Sequence, residues 1–106
     1  MRNSKTNPRV YDIGKRLELR ATITDPASGQ PFDPAKVVCT FKDGDGATTT
    51  PEVTNPKTGL FVAFGTVTSF GSNGKGGYAF DAFDEDDQPL GAEEVEFRIR
   101  ERVVPR

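Results

Sequence analysis

The chain has 106 residues, 14 Lys and Arg against 16 Asp and Glu, no histidine, no tryptophan and one cysteine. That is one domain's worth of chain, too evenly charged for non-specific nucleic-acid binding and lacking the roughly 18-residue apolar run of a membrane-spanning helix. A single cysteine leaves no internal disulfide and nothing for a Cys-based metal centre, and without histidine the commonest zinc ligand and the usual general base are both missing.

In chain order, residues 1–9 read as a basic, flexible N-terminal arm carrying Arg2, Lys5 and Arg9, with Pro8 near its end. No apolar signal core stands here, so export through a cleaved leader is not expected. The initial Met leads to the expectation of a whole gene product. Residues 10–106 read as a single folded domain. A short strand is predicted over 10–13, closed by Gly14. In residues 17–24, Leu17, Leu19, Ala21 and Ile23 alternate with Glu18, Arg20, Thr22 and Thr24, the period of a half-buried strand. Asp25-Pro-Ala-Ser-Gly29 supplies turn chemistry. A third strand fits 36–42, with Val37, Cys39 and Phe41 facing a core. Asp43-Gly-Asp-Gly46 is a hairpin signal; it resembles the start of a calcium loop, but the later oxygen ligands of such a loop do not follow.

Residues 47–54 are Thr-rich and broken by Pro51, which predicts an edge strand because proline cannot donate to an inner ladder. Residues 55–59 form another turn. Residues 60–68 are the most apolar stretch, with Leu60, Val62 and Phe64 on one face and Phe61, Ala63 and Val67 on the other. One face must meet the core; the second leaves Phe61 and Val67 as candidate contact residues. A Gly-rich connection over 69–77 contains Phe70. Residues 76–102 then read as two alternating strands around an acidic turn at 84–91. In the last strand Val95, Phe97 and Ile99 point inward and Glu94, Glu96, Arg98 and Arg100 outward.

The sum is about seven short strands with no helical period, the pattern of an all-β sandwich. Cys39 suits a small buried apolar position, as in a chain folded in a reducing cytoplasm. The charge is unevenly spread: residues 81–96 hold eight acids and no base, whereas residues 1–20 are mainly basic. Two readings stand for this split, a solvated surface or a self-complementary surface that helps copies meet in order. The cluster Asp84, Glu85, Asp86 and Asp87 is an acidic turn or, through Asp84, Asp86 and Asp87, a weak calcium site. Sugar binding would need exposed aromatics, for which Phe70 and Phe83 are the candidates. No carboxylate or serine sits in a catalytic setting, so no enzyme activity and no cofactor are expected.

Gly76-Gly-Tyr-Ala-Phe80 is similar to the Gly-x-Tyr-x-Cys run that opens strand F of immunoglobulin-like domains, with Phe80 in place of the cysteine. The resemblance puts Ala21 at the partner position on strand B, so that an apolar pair replaces the disulfide, and makes Tyr78 the equivalent of the tyrosine corner. The core tryptophan of antibody domains has no counterpart. A broader layout, with Tyr11-Asp-Ile-Gly14, Gly29-Gln-Pro-Phe-Asp-Pro34, Gly59-Leu-Phe61, Gly77-Tyr78 and Glu94-Val-Glu-Phe-Arg-Ile99, resembles the small Ig-like proteins of tailed-bacteriophage and prophage virions. Those proteins often carry Asp where Lys15 stands and Val where Ile99 stands.

The resemblance implies an immunoglobulin-like β-sandwich acting as a non-enzymatic structural or decoration module. Its partners would be capsid, neck or tail proteins and its own copies, in a virion assembled in the bacterial cytoplasm. The expected interaction residues are Arg2, Lys5, Arg9, Phe61, Val67, Phe70, Phe83, Asp84, Glu85, Asp86 and Asp87. The alternatives are a host-surface adhesin or carbohydrate-binding module and a calcium-dependent module. Neither nucleic acid nor membrane is an expected partner.

Overall fold

The computed structural model describes residues 10–100, and the architecture below is theirs. Eight strands follow one another: β1 (Val10–Asp12), β2 (Arg16–Thr22), β3 (Lys36–Lys42), β4 (Thr48–Thr49), β5 (Thr54–Lys57), β6 (Leu60–Thr66), β7 (Lys75–Phe83) and β8 (Pro89–Arg100). No helix occurs among the described residues. One sheet has the order β1-β8-β7-β3-β4 and the other β2-β6-β5.

Side-chain alternation decides which face of each sheet turns inward. Along β2, Leu17, Leu19 and Ala21 are buried while the four residues between and around them are exposed. Along β8, Phe97 and Ile99 are buried and Glu94, Glu96, Arg98 and Arg100 are exposed, as the period predicts. The inward faces meet in a single cluster. Leu17, Leu19, Ala21, Phe61 and Ala63 come from the three-stranded sheet, and Cys39, Phe41, Phe80, Phe97 and Ile99 from the five-stranded one. The fold is therefore an all-β sandwich whose core belongs to both sheets. Phe97 is its aromatic centre: Phe41 stacks on it at 5.9 Å and Tyr11 meets it edge-on at 5.4 Å. Burial of side chains this large is worth roughly 1.5–3 kcal/mol each.

Most strands fall where the alternation places them, but the stretch over 47–54 divides. Thr48–Thr49 adds to β3 in one sheet and Thr54–Lys57 adds to β6 in the other. Pro51 lies between, where no ladder needs its missing donor. Both pieces stand at sheet edges, so the edge assignment holds while the single strand does not. The turn expected over 55–59 shrinks for the same reason: β5 runs on to Lys57 through Pro56 with an irregular register. The acidic turn is likewise tighter, ending at Gln88.

Two contact residues read from the sequence are core instead. Phe61 is 6% exposed and Val67 is fully buried, because the face that they share with Ala63 is the one turned towards the other sheet. The opposite face of β6 holds Val62, also buried, and Phe64, 43% exposed beneath the Arg16 guanidinium at 4.1 Å. Ala21 and Phe80, the pair expected to stand in for a disulfide, are both in the core cluster. Burial pushes the Cys39 thiol up to about 11, so it remains protonated and unreactive at neutral pH.

Candidate interaction face

The outer face of the five-stranded sheet is built by register. In β7 the outward positions Gly77 and Ala79 carry almost no side chain. Gly77 pairs with Glu96 on one side and Lys42 on the other; Ala79 pairs with Glu94 and Thr40. Two adjacent rows thus repeat one pattern: acid on β8, small residue on β7, base or hydroxyl on β3. The result is a shallow groove of about 510 Å³ with Gly77 and Ala79 on its floor. Glu94 and Glu96 form one wall and Thr40 and Lys42 the other, while Lys75 stands on β7 at one end of the floor. Among the described residues none of these charges has an ion-pair partner. Walls of opposite sign orient a partner, and a floor without side chains lets its backbone come close.

The polarity of β8 continues past the groove. Arg98 and Arg100 follow the acids, and Arg100 Nε donates to Asp12 Oδ1 at 2.9 Å. That contact raises the Arg100 pKa, chiefly through the hydrogen bond. It also links β1 to β8, which pair in parallel from Val10↔Arg98 to Asp12↔Arg100. β1 therefore runs in the same direction as β8, away from the acidic turn. Arg2, Lys5 and Arg9 lie outside the described residues.

At the turn, Asp84 acts on its own backbone. Its Oδ1 accepts from the Asp86 and Gln88 amides at 2.8 and 2.9 Å, while Asp87 adopts a left-handed φ of 62°. Asp87 reaches Lys36 Nζ at 3.6 Å, an exposed ion pair of small energetic weight. Glu85 and Asp86 are exposed. Among the described residues no group of three or more His, Cys, Asp or Glu side chains is arranged to hold a metal, so Asp84, Asp86 and Asp87 do not converge as the calcium reading requires. Phe83 is half-buried with Lys36 Nζ 5.3 Å from its ring centroid, and Phe70 is half-buried against the core. Neither ring presents the open stacking surface a sugar needs.

Asp43 is the residue whose role the sequence hid. It is buried, and its carboxylate accepts from the Gly44, Thr68 and Ser69 amides and from the Thr68 hydroxyl. Burial on its own would raise its pKa; the Thr68 hydroxyl and the three amides outweigh burial and hold it below the usual carboxylate value. It ties the β3–β4 turn to the segment after β6. The loops close tightly there: a Cβ on Gly44 would lie 2.1 Å from the Ser69 carbonyl oxygen, and one on Gly71 would lie 1.8 Å from the Gly44 carbonyl oxygen. The only sequence signal was an Asp-Gly pair, which any hairpin turn also uses.

No protein-family model and no curated protein matches the chain. Among solved structures it is similar to a DUF4785 family protein from Legionella pneumophila, with a TM-score of 0.66 and 14% identity over 85% of this chain and 26% of that one. The chain thus spans about a quarter of the length of that protein. At this identity the likeness concerns the fold alone.

Proposed function

We propose that this protein is an immunoglobulin-like structural or decoration module of a tailed-phage particle, fastened to capsid, neck or tail protein through the outer face of its five-stranded sheet. The observation that carries the binding part is the groove itself. Opposite charges stand on two walls across a floor of Gly77 and Ala79, and none of them is neutralised by another described residue. A surface with both signs segregated at one site orients an encounter more than it adds raw affinity. The phage context is supported by the resemblance of the Tyr11–Gly14, Gly29–Pro34 and Glu94–Ile99 motifs. In that setting the protein is a virion component that acts by contact and carries no cofactor.

The test has two parts. Mass spectrometry of purified particles from a host carrying the gene is expected to find the protein at a defined copy number. Particles assembled with Lys42→Glu/Lys75→Glu are expected to retain at least about tenfold less of it, since reversing the basic charges of the groove repels the partner. Reversal of Glu18, on the other sheet, is expected to leave occupancy unchanged. Absence from the particle would remove the phage reading. Unchanged occupancy of the double variant would remove this face as the contact.

A further inference from the structure

β8 is the longest strand, at 12 residues, and one of its two sides is mostly open. β7 runs along one side. On the other, β1 reaches only Arg98, Ile99 and Arg100, so residues 89–97 have no strand beside them among the described residues.

One hydrogen bond fixes which backbone groups face that open side. The Ile99 amide donates to the Gly74 carbonyl at 2.7 Å, in line with the register Lys75↔Arg98 and Gly76↔Phe97. Hydrogen-bonded and non-bonded pairs alternate along an antiparallel ladder. Glu93, Val95 and Phe97 thus spend their amides and carbonyls on β7. Ala92, Glu94 and Glu96 direct theirs to the open side, where no described strand meets them. Such a row is a template for one more strand.

The side chains say what kind of strand fits. Glu94 and Glu96 stand on the outer face of the sheet, Glu93 and Val95 on the opposite one. The three acids are exposed and have no ion pair among the described residues, while Val95 is half-buried. No base occurs in residues 81–97. An added strand sets its side chains opposite those of β8 on each face. Bases two residues apart would answer Glu94 and Glu96, and the residue between them, beside Val95, would be apolar. We propose that this edge of β8 receives an extended segment of a partner protein, alternating basic with apolar residues and pairing with the backbone of Ala92, Glu94 and Glu96.

A second copy of the chain fits less well. Its β8 would set acid against acid, which is destabilising between directly opposed residues. The open side of its β2 interrupts Arg16 and Arg20 with Glu18. Its β5 carries Pro56, which lacks the donor that an added strand needs.

The test uses the full chain in solution, so it stands apart from the groove and from any phage particle. The protein is titrated with a synthetic peptide of about eight residues alternating Lys and Val, a common strand length, and amide hydrogen exchange is followed residue by residue. The amides of Ala92, Glu94 and Glu96 are expected to slow at least about tenfold, and those of Glu18 and Arg20 on β2 to stay unchanged. The same peptide with its backbone amides methylated keeps the charge but cannot pair, and is expected to protect nothing. Glu94→Pro removes an outward amide that the β7 ladder does not use, so it is expected to abolish binding and leave thermal unfolding nearly unaltered. Equal protection by the methylated peptide would reduce the contact to charge alone and overturn the strand pairing. No protection by the Lys–Val peptide would overturn the inference outright. Slow exchange of the three amides before any peptide is added would overturn it as well. Protection that rises with protein concentration would assign the edge to a second copy, and protection independent of concentration to another segment of this chain.

Discussion

Asp43 is the one buried polar side chain among the described residues. Its carboxylate is buried and receives the Thr68 hydroxyl and amides from both loops that it joins. Asp43→Asn keeps the shape but turns an NH2 group towards donors and removes the charge. It is expected to cost about 1–3 kcal/mol, the range for a buried partner left unsatisfied. The folded-state pKa is depressed, so the carboxylate contributes its stability above the unfolded value of about 4 and loses it as pH falls through the lower folded value. Urea denaturation of both proteins at several pH values checks this. The stability gap is expected to be full at pH 7 and to narrow below about pH 4. A gap that stays constant with pH would mean that the charge is not what matters. The role was illegible in the sequence because the partners of Asp43 are about 25 residues away and are mostly backbone amides, which any residue supplies. The buried alternation of Leu17, Leu19 and Ala21, by contrast, was plain, because it is local and side-chain chemistry alone sets it.

At the scale of the element, the β7–β8 hairpin separates turn architecture from ligand chemistry. Asp84 accepts two amides of its own turn, while Asp86 is exposed. Asp84→Ala is therefore expected to destabilise by about 1–2 kcal/mol, as loss of a capping side chain does. Asp86→Ala is expected to stay within about 0.5 kcal/mol, the usual range for a surface change. Thermal unfolding of the two variants, with and without calcium, checks the pair. A calcium site would instead make both substitutions matter and only when the ion is present. The hairpin was readable because both strands alternate and the acids between them form one unbroken polar block. The division of residues 47–54 was not. Pro51 signals that an inner ladder is impossible, but not which of two sheet edges each flank joins; that choice depends on β3 and β6, which are distant in sequence. The misassignment of Phe61 and Val67 has a related cause. Residues 60–68 are apolar on both faces, so period alone could not say which face the core would take.

For the whole molecule, the pairing of the first and last described strands governs how it unfolds. β1 pairs with β8, so the first and last described strands lie side by side. The two sheets also share one core cluster: Leu19 and Phe61 from one, Phe80 and Phe97 from the other. Neither sheet can keep its apolar face covered if the other opens. Gly14, at φ 95°, is where the chain passes from β1 in one sheet to β2 in the other, which joins them again. Unfolding is therefore expected to be a single cooperative transition. Calorimetric and van 't Hoff enthalpies should agree, at about 75 kcal/mol near 60 °C for a domain of this length. Refolding should take milliseconds to seconds, because pairings such as β1–β8 join residues far apart in sequence. Two separated transitions, or a calorimetric enthalpy well above the van 't Hoff value, would mean that the sheets hold together independently and that the shared cluster contributes less than its burial implies.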